Sequence, residues 1–460
     1  MKIALISEHA SPLATLGGVD SGGQNVYVAN IARQLARAGH RVDVFTRRDD
    51  EALPGIVQFD RGVRVLHIPA GPRRHVPKEE LLPHIREFAL RTLDYCAAPV
   101  RRYDIVHANF FMSGIVAARL KEVLNIPFVI TFHALGKVRQ RHQKDADRFP
   151  AARTAIEERL VGLADRIVAE CPQDREDLLS LYGADPDKID VVGCGVDTRE
   201  LSTSGRSARV ALDLLSLYGA DPDKIDVVGC GVDTRELSTS GRSARVALGL
   251  REDEFVVLQL GRLVPRKGVD NVIRAVACLE RLHGIRARLL VVGGESVDPD
   301  PLVTPEIGRL AAIAEHEGVR ERVTFVGQRP RHMLRHYYSA ADVFVTTPWY
   351  EPFGITPLEA MACGTPVIGS AVGGIRHTVL DEVTGFLVPP NDPAALAERL
   401  ARFHRNPELA RAFGRAGVRH VRTHYTWKKI AQQILEVYAS ALRDAPMREL
   451  SAANESLATL

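Results

Sequence analysis

Short apolar runs alternate with longer amphipathic stretches almost from the first residue. Runs at 3–6, 41–45, 63–68, 105–108, 128–131 and 166–169 read as buried strands separated by helical patterns. A second alternation starts at Phe255, with runs at 255–260, 289–292, 323–326, 343–346, 367–368 and 385–388. Strand–helix alternation of this kind predicts parallel sheets covered by helices. The chain is therefore expected to be α/β, with two doubly wound, Rossmann-like domains facing a central cleft. The expected boundaries are 1–196 for the first domain, 197–249 for a connection and 250–424 for the second domain. A last helix follows at 425–443, and a polar, disordered tail at 444–460.

One segment interrupts this regularity. Residues 177–212 and 213–248 are identical, a 36-residue unit in tandem. Solenoids need at least three copies to bury a core, so two identical copies indicate a recent duplication or a cloning or assembly error. The unit contains a strand, at 188–192 or 224–228, and the connection toward the second domain. One copy of that strand can fill the edge of the first sheet and the other must loop out. Lengthening the linker in this way costs only about 1–1.5 kcal/mol of closure entropy. Gly193 and Gly229 leave both copies without a stiffening proline.

Composition narrows the function classes. A chain of 460 residues is too long for one core. A net charge of +3 gives no case for nucleic acid, and no apolar run approaches a membrane span. The opening run is too short for a signal peptide. Six scattered cysteines without metal-ligand spacing fit a reducing compartment, so a cytoplasmic protein is expected.

Two loops carry the chemistry. The run 349–366 sets Glu351 and Glu359 eight positions apart, behind a strand and leading into a helix. Two carboxylates there can serve one ligand, or Glu351 can cap the helix while Glu359 is solvated. The run 261–268 follows the strand 255–260 and holds Arg262 and Lys267 between Gly261 and Gly268. Arg suits bidentate contact with phosphate and Lys supplies a mobile point charge. Together the loops suggest a diphosphate site with a carboxylate-bound group beyond it.

These residues carry a family resemblance. Glu351 to Glu359 in their Glu-Pro-Phe-Gly setting, with Gly261-Arg262 and Lys267-Gly268, resemble the retaining glycosyltransferases of family 4, which have the GT-B fold. The run 17–28, Gly-Gly-Val-Asp-Ser-Gly-Gly-Gln-Asn-Val-Tyr-Val, resembles the opening of the sucrose-phosphate synthase and inositol-phosphate glycosyltransferase branches. The resemblance implies that Arg262 and Lys267 neutralise the leaving diphosphate. Glu359 would then hold ribose hydroxyls, and Glu351 sugar hydroxyls beside the backbone N–H groups of Phe353, Gly354 and Ile355. It further implies a place for His133 beside the donor sugar, for Gly22 and Gly23 at the phosphates, and for the last helix back on the first domain. A nucleophilic Glu351 is the less favoured alternative to same-face attack.

On the acceptor side the resemblance points to Asn25, Lys78, Arg153 and Lys137. Basic runs at Arg73, Arg74 and Lys78 and at Lys137, Arg139, Arg141 and Lys144 suit an anionic acceptor or an anionic lipid surface. Phe110 and Ala134 stand where the inositol-phosphate branch carries Tyr and Thr hydroxyls, which argues against inositol phosphate itself. No cofactor or metal is expected, because Asp185-Pro186-Asp187, its copy at 221–223 and Asp298-Pro299-Asp300 sit in turns. The expected activity is hexose transfer from a nucleotide sugar, with UDP-glucose favoured, to a sugar or sugar-phosphate hydroxyl. The alternatives are a non-catalytic or duplication-disabled nucleotide-sugar binder, a phosphorylase, and a nucleotide-sugar epimerase.

Overall fold

The computed structural model describes residues 1–14, 22–143, 147–198, 201 and 234–444. Motif residues 17–21, Lys144, the second copy's strand at 224–228 and its turn at 221–223, and the tail from 445 lie outside them.

The first sheet has eight strands: β1 (Lys2–Ile6), β2 (Arg41–Arg47), β3 (Ile56–Asp60), β4 (Val63–Ile68), β5 (Ile105–Asn109), β6 (Phe128–Thr131), β7 (Arg166–Ala169) and β8 (Ile189–Val191). Their order is β3-β4-β2-β1-β5-β6-β7-β8. All pairings are parallel except that of β3 with β4. The antiparallel β3 escapes a search for buried runs because it is a half-exposed edge, with Ile56 50% exposed.

The second sheet is wholly parallel, with β9 (Phe255–Leu260), β10 (Ala287–Val292), β11 (Val323–Gly327), β12 (Val343–Thr346), β13 (Val367–Ser370) and β14 (Gly385–Val388) in the order β11-β10-β9-β12-β13-β14. Every residue of β9 and β12 is buried, as sheets covered by helices on both faces require.

Each copy of the repeat contributes a described element. The edge slot beside β7 is filled by β8 from the first copy, with Ile167 opposite Ile189. The helix Thr234–Ala247, from the second copy, packs on the helix Arg331–Ala340 of the second domain. Arg245 fastens it there, its Nη2 donating to Asp342 Oδ2 at 2.6 Å and its Nε to the Ala340 carbonyl at 2.9 Å. The span expected as connection, 197–249, thus ends in an element that packs with the second domain.

The last helix, Trp427–Asp444, buries Trp427, Ile430, Ala431, Ile434, Val437, Tyr438 and Ala441, a stripe at helical spacing. That stripe lies on the first domain: Tyr438 Oη meets His107 Nδ1 at 2.7 Å, and Trp427 stacks edge-to-face with Tyr27. One continuous apolar cluster therefore runs from β1 through this helix to Phe353 and Leu358.

Candidate active site

In each sheet the chain reverses its direction of winding at one point, between β1 and β5 in the first and between β9 and β12 in the second. The loops leaving these neighbours diverge and open a crevice at the strands' carboxyl ends. The first-domain helix Gly23–Arg37 starts at such a point, with Gly22 as its N-cap. A Cβ placed on Gly23 would lie 3.3 Å from Ile355 Cδ1. The starts of helices Gly23–Arg37 and Ile355–Ala362 therefore approach each other from the two domains, and helix starts favour anions.

The basic and acidic loops are locked together. Gly268 has φ +66, and a Cβ there would fall 2.0 Å from the Thr347 carbonyl oxygen, so only glycine permits the approach. Thr347 Oγ1 donates to the Gly268 carbonyl at 2.9 Å and Trp349 Nε1 to that of Pro265 at 3.1 Å. The Lys267 ammonium is then paired directly with Glu351, and Arg266 Nη1 stands 3.6 Å from the same carboxylate oxygen. Burial pushes the Lys267 ammonium down to about 8, with Glu351 opposing and Arg266 and Arg262 reinforcing. Burial also works to raise the Glu351 carboxyl, but Lys267, Arg266 and Arg262 together hold it below the usual range.

Glu351 is not the helix cap; Gly354, at φ 88, takes that position. Among the described residues, the N–H groups of Phe353, Gly354 and Ile355 have no backbone acceptor. Glu359 is not solvated either. It is 4% exposed, accepts from Tyr338 Oη at 2.9 Å and faces Arg331 Nη1 at 3.1 Å.

From the first domain, His133 sits just past β6 in the left-handed region, φ 57. Its Nδ1 lies 3.0 Å from Glu170 Oε1 and its Nε2 3.1 Å from Asn109 Oδ1. The strand-end loop after Glu170 reaches the second domain, where Cys171 Sγ donates to the Pro352 carbonyl at 3.4 Å.

The four acceptor-side residues part company here. Arg153 is 1% exposed, held by Glu157 at 2.7 Å and the Ala134 carbonyl, and its guanidinium lies over Phe110, Phe111 and Phe149. Its Nη1 is buried without a partner. Lys78 is half-buried on the short turn Lys78–Glu80. Asn25 serves its own helix instead, accepting from Gly22 N–H at 2.9 Å and donating to Ser11 at 2.9 Å. Lys137 turns to Glu158, 2.6 Å away, and to the Leu181 carbonyl. Asn25 and Lys137 thus each carry contacts within the first domain.

Two family models match the chain: "Glycosyltransferase Family 4" over residues 21–200 and "Glycosyl transferases group 1" over 242–420. The D-inositol 3-phosphate glycosyltransferase of Kribbella flavida is 36% identical over 447 residues, 96% of each chain. That of Xylanimonas cellulosilytica is 35% identical, over 97% of this chain and 98% of its own. The chain belongs to glycosyltransferase family 4. Among solved structures, the sucrose-phosphate synthase of Thermosynechococcus elongatus is 32% identical with a TM-score of 0.80, over 96% of this chain and 99% of that one. Anabaena HepE, solved with UDP and glucose, shares the fold at 20% identity and a TM-score of 0.69, over 96% of this chain and 100% of its own. The two doubly wound domains expected from the strand pattern, and the GT-B architecture that the resemblance implied, are what is found.

Several residues of this family 4 glycosyltransferase's site escape a sequence reading. Arg266 joins the Lys267–Glu351 pair, yet on a loop with three basic residues its role cannot be told from solvation. Tyr338 and Arg331 reach Glu359 from a helix whose face is set only by packing. The pair Gly373-Gly374 braces the acidic loop: Gly374 N–H donates to the carbonyls of Glu351 and Pro352 at 3.2 and 3.1 Å, and a Cβ on Gly373 would strike the Glu351 oxygen. The Val-Gly-Gly turn at 372–374 was the available signal. Asp185, which caps its own turn by accepting from Asp187 N–H, agrees with a turn reading of that acidic pair.

Proposed function

We propose that this glycosyltransferase moves glucose from UDP-glucose to a hydroxyl of a sugar phosphate, with retention and without a metal. The observation that carries the reading is the half-buried cationic group of Lys267 and Arg266, beside Arg262 and the start of helix Ile355–Ala362. A departing diphosphate gathers negative charge in the transition state, and preplaced cations in a water-poor site stabilise it. These groups supply what a divalent ion otherwise would. Glu359, on the same helix, is suited to two vicinal ribose hydroxyls.

Glu351 is engaged with two cations, which suits a group that holds sugar hydroxyls better than a nucleophile. In same-face attack the bond from C1 to the phosphate oxygen breaks, and a bond from C1 to the acceptor oxygen forms. The acceptor proton passes to the departing phosphate. His133, Gly22 and Gly23 would close on the donor from the first domain.

The acceptor class rests on Arg153. A guanidinium held in place by Glu157 and three aromatic rings, with one N–H group unspent, is matched to a phosphate oxygen. The related proteins are named for inositol 3-phosphate and for sucrose phosphate, and a phosphorylated polyhydroxy compound is common to both names. Phe110 lies against Arg153 with no hydroxyl to offer, which favours a different sugar phosphate from that of the inositol enzymes.

The test is thermal-shift screening of UDP-, GDP- and ADP-sugars with Glu359→Ala as control, then turnover with a panel of sugar phosphates. Stabilisation by UDP-glucose and product with retained configuration are expected. Indifference to every nucleotide sugar would end this reading.

A further inference from the structure

Three neighbouring strands of the second sheet, β9, β12 and β13, begin at one cavity of about 410 Å³. Glu254 and Phe255 line it at the start of β9, Asp342 at β12 and Pro366 at β13. The loops of the transfer site leave the opposite, carboxyl ends of this sheet. One strand length separates the two places, about 13–20 Å.

Helix Pro407–His424 forms a wall of the cavity. A Cβ on Gly414 would fall 2.0 Å from the Gly364 carbonyl oxygen, so the missing side chain lets the helix lie against the turn before β13. Arg411 and Arg415 stand one helical turn apart beside that contact, and both line the cavity. Their Cβ atoms are then about 5–6 Å apart, close enough for one ligand to meet both side chains.

The carboxylates around the cavity are already matched. Asp342 faces Arg245 at 2.6 Å, Glu252 faces Arg242 at 3.0 Å and Glu254 faces Arg288 at 3.5 Å. Asp253 is paired with Arg251. Among the described residues, Arg411 and Arg415 make no ion pair, hydrogen bond or ring contact. Two guanidinium charges are therefore left over, and Arg415 is half-buried.

We propose that this cavity is a second anion site, which takes a small phosphorylated metabolite through Arg411 and Arg415. A carboxylate has two oxygens and is satisfied by one guanidinium. A phosphoryl group has three and can bridge two. The opposite wall is apolar, with Phe255, Phe403 and Pro366, and His404 lies edge-to-face on Phe255 at 5.0 Å. A bare ion would leave that wall in water, so the ligand carries a compact organic part.

Calorimetric titration with inorganic phosphate and with phenyl phosphate tests this. Neither offers a sugar hydroxyl, so neither is consumed by the transfer proposed above. Saturable binding is expected, with phenyl phosphate the tighter of the two. Arg411→Gln combined with Arg415→Gln should weaken phenyl phosphate at least about tenfold, because two charge-assisted contacts are lost. Lys267→Ala, at the other end of the strands, should keep the wild-type affinity. Equal affinity in the wild type and the double variant overturns the proposal. So does binding that disappears in Lys267→Ala, which would put the anion in the transfer cleft. Phenyl phosphate no tighter than inorganic phosphate overturns the organic part of the ligand. Each single arginine variant carries the same test if the double variant does not fold. Binding needs no turnover, so failure of the transfer reading leaves this measurement intact.

Discussion

Lys267 and Glu351, 84 positions apart, are joined as an ion pair because Gly268 lets the loop after β9 lie against the carbonyl of Thr347 after β12. The pair is the hinge of the site's electrostatics. Each member alone would be a buried charge; together, with Arg266, they keep a net positive field where a diphosphate would leave.

The first prediction concerns pH. With Lys267 held at about 8, the ammonium is lost as pH rises through that value, so kcat/KM for the donor should fall on the alkaline side with a midpoint near it. Lys267→Arg, which stays charged, should remove that limb. Lys267→Ala should lower kcat by about 100- to 1,000-fold. The profile from mildly acidic to alkaline pH checks both. For stability the sign is opposite. The unfolded lysine keeps its proton up to its ordinary value of 10.5, so this group adds stability as pH rises through the window from 8 to 10.5.

Glu359 is buried with two donors on it, so Glu359→Ala leaves Tyr338 and Arg331 facing an empty place. A loss of about 1–3 kcal/mol in unfolding free energy is expected, together with loss of donor binding. Tyr338→Phe should cost only about 1 kcal/mol and keep most of the affinity. Denaturant melts and calorimetric titration with UDP-glucose separate the two effects.

Arg153 and Glu157 form a buried pair whose break strands a charge. Arg153→Met should destabilise the first domain by about 3–5 kcal/mol. Lys78→Ala, on the half-buried turn, should leave stability unchanged and raise KM for a phosphorylated acceptor. An unchanged KM would remove Lys78 from the acceptor site.

Gly374 stands under the acidic loop, where an added Cβ would lie 2.4 Å from the Phe353 carbonyl oxygen. Gly374→Ala should displace the 351–355 backbone and cut donor affinity far more than it lowers the melting temperature. Ligand-free and ligand-bound thermal shifts report the difference directly.

Removing 36 residues, by deleting either copy, yields the same shortened chain. Closure entropy alone predicts a gain of about 1–1.5 kcal/mol in unfolding free energy. Chemical denaturation of the two proteins checks it. Activity that appears only in the shortened chain would mark the extra length as what disables the enzyme.

The parallel sheets were legible because strands covered by helices on both faces are buried throughout and so read as nearly continuous apolar runs, as β9 and β12 do but for Gln259 and Thr346. The second-domain grouping was legible because Arg262, Lys267 and Glu351 lie on loops that follow strands and Glu359 on the helix that one of these loops enters, where the fold dictates a crevice. What was not legible had no local signal. Nothing in the sequence around Asn25 or Lys137 announces their contacts with Ser11, Glu158 and the Leu181 carbonyl, because those partners meet only in the folded chain. Glu170 was passed over for the converse reason. A lone glutamate at the end of β7 gains its meaning from His133, which arrives from another strand.

Each copy of the repeat supplies a described element, so the sequence of each of these elements is written twice in the chain. Ile225 offers the edge of the first sheet the same side chain as Ile189, and Thr198 begins the same sequence as the helix at Thr234. A substitution at Ile189 therefore alters β8 while the same letters remain written at Ile225, and one at Arg245 alters the clamp on Asp342 while its twin Arg209 keeps the original sequence.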